Sequence, residues 1–245
     1  MRRLVAAIRE NVASLGWANG LIYMLGRGLA AATGGYCGLY IYYFVVQPVP
    51  AQPLPMRPRV SRTRVYQASP ADDIIRRFPR PADVVARRFA DGAVCFVAEN
   101  AGNLVGFIWI RLDKYDEDEV RCEYLLDPVG ELAWDFDAFV APEFRMSRAF
   151  VQLWEAANEF LRLHGYVWTA SRISAFNPAS LASHKRFGAL HRHTAFFLVV
   201  GPIQLALLSL RPYVHIGAGR TSRPTVTLRA PSNEKHSDER HQPPA

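Results

Sequence analysis

Five prolines fall within eleven residues, at positions 48, 50, 53, 55 and 58, and they limit what the chain on either side can become. Proline lacks a backbone N–H and holds φ near −65°, so neither a helix nor a central strand runs through such a stretch. It reads instead as an extended spacer of about 3 Å per residue. The consequence is large because the longest charge-free run, residues 28–56, is long enough to cross a bilayer. Gly34-Gly35 and the prolines interrupt it, so a spanning helix is not expected. The spacer predicts three parts: an arm over residues 1–46, a linker over 47–63 and a body over 64–216. From Gly217 the chain is polar and Pro-rich and reads as a disordered tail over 217–245.

In the arm, Leu4, Ile8, Val12 and Leu15 recur at helical spacing, and Leu21, Met24, Leu25 and Leu29 repeat the pattern after Gly16. Residues 36–46, YCGLYIYYFVV, are β-branched and aromatic and predict a buried strand. Arg9 and Glu10 break the first apolar stretch before a secretory core can form. Cys37, Cys95 and Cys122 are odd in number and widely spaced, with no CxxC. That indicates neither a disulfide framework nor a zinc site, and a reducing, cytoplasmic compartment is expected. His191 and His193 share one face of a strand and are expected to form a polar strand edge rather than a metal site.

Net charge is +7, but unevenly spread: residues 1–70 hold eight Arg and one Glu, whereas residues 113–137 hold ten acidic and two basic side chains. An acidic patch beside a basic arm fits a cationic acceptor and an anionic membrane surface touched by residues 1–46 on its cytoplasmic face. Only three of the 29 basic residues are lysines and no base-reading motif is present, so nucleic acid is not an expected partner.

The body alternates. Strands are expected over 64–68, 93–99, 104–112, 133–141, 166–174 and 193–200, and helices over 71–78, 81–89, 145–164 and 178–187. Asn100-Ala-Gly-Asn103 has hairpin-turn composition. Phe150, Leu153, Trp154, Ala157, Phe160 and Leu161 line one face of the long helix, which Gly165 closes.

Two segments then carry a family resemblance. Residues 137–150, DAFVAPEFRMSRAF, put a hydrophobic strand and a V-x-P-x-F-R turn before a helix. Residues 177–189, NPASLASHKRFGA, place N-x-x-S on a helix that ends in Gly188. Together with the hairpin these resemble the GNAT superfamily of acyl-CoA-dependent N-acyltransferases over residues 64–201. The resemblance implies an α/β (α+β) fold, a mixed and mostly antiparallel central sheet flanked by helices, here with an N-terminal helical and strand arm. It also implies transfer of an acyl group, acetyl foremost, from acetyl-CoA or another acyl-CoA to an amine, without a metal. A catalytically inactive, membrane-peripheral accessory protein of the same fold is the alternative.

The donor is expected along Phe139 and Val140 and at the start of the long helix, where Arg145, Arg148 and Ala149 offer charge, unpaired N–H groups and the positive end of the helix dipole to a pyrophosphate. Arg148 and Phe150 stand where the family's R-x-x-G-x-[GA] pattern has small residues. Asn177 is a second donor contact or, with Pro178 after it, a helix cap.

For catalysis, strand alternation places Trp134 and Phe136 on one face and Asp135 and Asp137 on the other. Acylation needs a neutral amine, so a carboxylate near the acceptor serves as base. Asp137 is the first candidate, its neighbour Asp135 helping to raise a pKa, and Glu123 is the second. The alternative is that both aspartates pair with Arg172. His184 stands where the family often has the tyrosine that protonates the leaving thiolate.

Overall fold

The computed structural model describes residues 15–53, 63–145, 147–219 and 221–231. The chain enters through helix α1 (Trp17–Ala32) and strand β1 (Cys37–Pro48), and resumes after the Pro-rich segment at β2 (Thr63–Ala68). A 3-10 turn (Asp73–Arg77), helix α2 (Ala82–Ala90) and the strands β3 (Val94–Asn100) and β4 (Asn103–Arg111) follow. Next come β5 (Lys114–Asp116), β6 (Glu123–Asp127), β7 (Leu132–Val140) and helix α3 (Ala149–Leu163). The chain ends in β8 (Trp168–Ser174), helix α4 (Pro178–Arg186), β9 (Leu190–Val200), β10 (Ile203–Leu208), β11 (Val214–Ala218) and β12 (Thr225–Arg229).

Nine strands form one sheet in the order β11-β10-β9-β1-β8-β7-β4-β3-β2, and β12-β6-β5 form a second. Within the large sheet only β7 and β8 pair in parallel; the other neighbours are antiparallel. Among the described residues the fold is thus a mixed, mostly antiparallel sheet flanked by four helices, the architecture expected from the sequence. The β3–β4 hairpin turns through Ala101 (φ 48°) and Gly102 (φ 77°), the left-handed pair that a two-residue hairpin needs.

Three expectations need correction. The first is the arm. Its strand, β1, lies between β8 and β9, pairing with both, and buries Tyr42, Phe44 and Val46 in a core with Trp134 and Phe197. The prolines end the strand, but the spacer returns the chain to the far edge of the same sheet. Burial of a wholly apolar strand on both faces outweighs the separation suggested by the linker. The second is the expected tail: β11 reaches Ala218, and β12 pairs in parallel with β6, burying Val226 and Leu228. Residues 232–245 of that tail, like residues 1–14 of the arm and 54–62 of the linker, lie outside the described residues. The third is local. Residues 73–77 form a 3-10 turn in place of the α-helix expected over 71–78, and β5 and β6 stand in the acidic stretch between the strands expected at 104–112 and 133–141.

Helix α3 covers one face of the sheet with Leu153, Trp154, Ala157 and Leu161, against Phe96, Ala98, Ile108 and Ala133. It starts at Ala149, four residues later than its pattern suggested, because residues 142–144 take a 3-10 turn first. Gly165 (φ 83°) closes it, and the Tyr166 N–H returns to the Leu161 carbonyl at 2.9 Å. On the opposite face, the 3-10 turn and α2 bury Ile74, Phe78 and Val85 against Val97, Phe107 and Trp109.

Candidate active site

The parallel pairing of β7 with β8 lasts three residues, Leu132↔Trp168, Ala133↔Thr169 and Trp134↔Ala170. Beyond it, β7 continues to Val140 and β8 to Ser174 without bonding to each other. The strands part, and a cavity of about 710 Å³ opens at the split. Its lining joins both sides of the sheet: Tyr42, Arg80, Arg88, Phe136 and Asp137 from one, Ser171, Ser180 and His184 from the other.

A bulge sits on the same stretch. Trp109 pairs with Phe136 but Phe107 with Phe139, so two residues of β7, Asp137 and Ala138, oppose one of β4. Asp137 takes φ 46°, unusual for a residue with a side chain. The bulge breaks the alternation on which the sequence reading relied, and the two aspartates point to opposite sides. Gly106 makes the close approach possible, since a β-carbon there would lie 2.4 Å from the Phe139 carbonyl oxygen.

Asp137 joins Arg80 and Arg88. Arg80 donates from Nε to one carboxylate oxygen at 2.9 Å and from a terminal nitrogen to the other. Arg88 adds a bond at 2.5 Å and reaches Asp118 with its second nitrogen at 2.8 Å. Burial alone would raise the Asp137 pKa, but the two guanidinium groups win and hold it below the usual carboxylate value. A carboxylate so stabilised is a weak base. The base role expected of Asp137 is therefore corrected: its surroundings make it an anchor for two arginines.

Asp135 is in the reverse situation. It is 3% exposed, and no described residue forms an ion pair with it. Burial pushes its pKa up to about 7, the Thr169 and Ser171 hydroxyls beside it opposing the shift only in part. Asp137 plays no part in it. Oδ2 of Asp135, Oγ of Ser171 and Nδ1 of His184 are buried without a hydrogen-bond partner among the described residues, and all three residues line the cavity. Unsatisfied buried polar atoms are costly, and these three belong to residues around one opening. Sequence reading took Asp137 over Asp135. The apolar neighbours on both sides of Asp135 were the available sign of its burial, but the bulge was not legible.

The remaining candidates fall as follows. His184 is buried against Trp154, ring centroids 5.6 Å apart, and burial lowers its pKa to about 4. It is neutral at pH 7, which corrects the expectation of an imidazolium acid there. Glu123 bonds to Lys114, Arg223 and Thr225 on the second sheet and does not line the cavity, so its place as second base is corrected too. Arg172 clasps Glu117 through two bonds of 2.7 Å and Glu119 at 2.9 Å, not the aspartates. The expected acidic wall is largely neutralised: Asp113, Asp116, Glu117, Asp118, Glu119, Glu123, Asp127 and Asp137 each have an arginine or lysine partner. His191 bonds to the His193 carbonyl and to Thr194 Oγ1. Among the described residues no group of three or more His, Cys, Asp and Glu side chains could hold a metal ion.

On the donor side, Arg145 and Arg148 are exposed just before α3, and Ser147 Oγ accepts from the Ala149 N–H at 3.1 Å. Val140 and Phe139 lie on β7 beyond the split, Phe139 stacked on Phe107. From the first turn of α3 onward, Phe150, Trp154 and Phe187 pack together at centroid separations of 5.7–6.4 Å and fill the space between α3 and α4. Asn177 caps α4, its Oδ1 accepting from the Ser180 N–H at 3.1 Å, which is the cap role, and the residue also lines the cavity.

No protein-family model matches the chain, and no curated protein matches its sequence. Solved structures similar to it include a tandem GNAT protein from the clavulanic acid biosynthesis pathway, 15% identical over 70% of this chain, with a TM-score of 0.48. A putative GNAT-family acetyltransferase from Novosphingobium aromaticivorans is 12% identical over 74% of this chain, TM-score 0.43. The chain spans 57% and 66% of these two structures. An aminoglycoside N-acetyltransferase in complex with CoA is 23% identical over 54% of this chain and 91% of its own, TM-score 0.37.

Proposed function

We propose that this chain, a divergent protein of GNAT-like fold, is an acyltransferase that moves an acyl group, acetyl in the first instance, from acyl-CoA to an amine. The observation that carries the reading is Asp135, a buried carboxyl with pKa about 7 at the point where β7 and β8 separate. Near neutral pH it is half ionised, strong enough to take a proton and weak enough to release it. The amine nitrogen attacks the thioester carbonyl, and its surplus proton passes to Asp135, directly or through water. The C–S bond then breaks, and the thiolate leaves with a proton returned by Asp135 or taken from solvent. An ordinary thiol pKa of about 8.5 makes it a fair leaving group without a dedicated acid. His184, neutral, would contribute a hydrogen bond rather than a proton.

Arg145, Arg148 and the first turn of α3 would hold the CoA diphosphate. The unpaired edge of β7 from Asp137 to Val140 would accept the amides of the pantetheine arm. Titration calorimetry with CoA and acetyl-CoA tests this, with binding expected to weaken in Arg145→Ala and Arg148→Ala. Wild-type protein that takes up neither ligand at millimolar concentration would remove the CoA-dependent reading.

One observation favours a second reading, a binding module of the same fold without catalysis: Phe150, Trp154 and Phe187 occupy the space between α3 and α4. The same titration separates the two.

A further inference from the structure

Among the described residues, Leu125, Val129, Leu163, Val167 and Leu190 are exposed singly, but most of the exposed large apolar side chains gather on one face. β1 pairs Leu39 with Leu198; β10 pairs Ile203 with Val200, Leu205 with Leu198 and Leu207 with Phe196; β11 pairs Ile216 with Leu205 and Val214 with Leu207. Directly paired residues share a face, so Val200, Ile203, Leu207, Val214 and Ile216 stand together on the face where Leu39 meets α1. Ile216 is 73% exposed and Val214 57%. Helix α1 rests on β1 through Gly26 and Asn19. It turns Trp17, Leu21, Leu25 and Leu29, one stripe at four-residue spacing, away from the core. Leu21, Leu25, Leu29 and Leu39 wall an open apolar groove on its flank. Trp17 and Tyr213 lie toward one end of this surface and Tyr36, against Gly201, at the other.

The charge around it has one sign. No Asp or Glu occurs in residues 11–71 or in residues 160–233, the segments that supply α1, β1 and β8 to β12. Arg27, Lys185, Arg186 and Arg211 are exposed there, and none forms an ion pair with a described residue. An apolar face bounded by Trp and Tyr, built from segments that carry exposed cations and no carboxylates, suits the headgroup boundary of an anionic bilayer. No helix among the described residues is long and apolar enough to cross one. We infer that the face formed by α1 and the uncovered side of β9-β10-β11 docks the protein peripherally on an anionic membrane. A second copy of the chain would be selected by shape and area rather than by this one-signed charge.

The test is co-sedimentation of the full chain with phosphatidylcholine vesicles, with and without phosphatidylglycerol, which needs no enzymatic activity. Wild type is expected to pellet with the anionic vesicles and to be released by high salt. Leu25→Glu with Ile216→Glu replaces two exposed side chains and leaves residues 1–14 untouched; it should lower partitioning at least about tenfold with an unchanged thermal melt. Wild type that ignores anionic vesicles overturns the proposal, whether monomeric or a dimer that the double variant dissociates. So does a double variant that binds like wild type, since the surface would then not be the one used.

Discussion

Arg88 divides its guanidinium between two carboxylates, donating to Asp137 at 2.5 Å and to Asp118 at 2.8 Å, while its plane lies 5.1 Å from the centre of the Phe136 ring. This one side chain ties the bulge of β7 to the loop before β6. It also decides which of two neighbouring aspartates is free to do chemistry. Asp137 is neutralised on the side of α2, and Asp135 is left buried without a cation.

Replacement of Asp135 should therefore matter most for turnover. Asp135→Asn is expected to lower acyl transfer by roughly 10² and to remove the acidic limb, the fall in rate below about pH 7, from the kcat/KM profile. Rate measurements across pH 5–9 check this, and an unchanged profile would take Asp135 out of the mechanism.

Stability should carry a matching signature. The folded-state pKa of Asp135 is raised from 3.8 to about 7, so between those values the native state holds a proton that the unfolded state has released. Its contribution to stability thus falls as pH rises from about 4 to 7. His184 is lowered from 6.5 to about 4, so the unfolded state holds the extra proton and its contribution rises with pH from about 4 to 6.5. The two oppose each other over that window. Denaturant melts of Asp135→Asn should show stability rising with pH there, and melts of His184→Phe should show it falling.

Asp137→Ala leaves Arg80 and Arg88 without their shared partner, and the Arg88 side chain is only 11% exposed. A loss of about 3–5 kcal/mol is expected, measured by urea unfolding at pH 7. Because the Asp137 pKa is depressed, the stability it supplies in wild type is present above pH 3.8 and lost as pH falls below it. The difference between wild type and variant should shrink at acid pH.

Gly106→Ala would push a methyl group into the Phe139 carbonyl. The β4–β7 pairing must shift, at a cost of about 1–3 kcal/mol, and the mouth of the cleft shifts with it. Thermal denaturation should report the loss.

Phe150→Gly restores a small residue in the first turn of α3 and opens the packing with Trp154 and Phe187. CoA affinity should rise several-fold if those rings narrow the donor passage. No change in affinity would place the donor outside the α3–α4 gap.

The sequence by itself determined the strands β2 to β4 and β7 to β9 and the helices α2 to α4 of the body and their order, though not β5, β6, β10 or β11, because period, caps and turn residues act over a few neighbours: the hairpin at Asn100–Asn103, Gly165 after α3 and Asn177 before α4 are all local. It also placed a carboxylate pair on β7. Tertiary structure alone decided where β1 goes, since pairing with β8 and β9 joins residues 120 or more positions apart and nothing in a local pattern encodes a neighbour so distant. It likewise decided the roles of the two aspartates. A bulge set by the register of β4 against β7, and two arginines brought from the other side of the 3-10 turn, separate Asp135 from Asp137 in charge and burial. Ionisation follows surroundings, and those surroundings exist only once the sheet has closed around them.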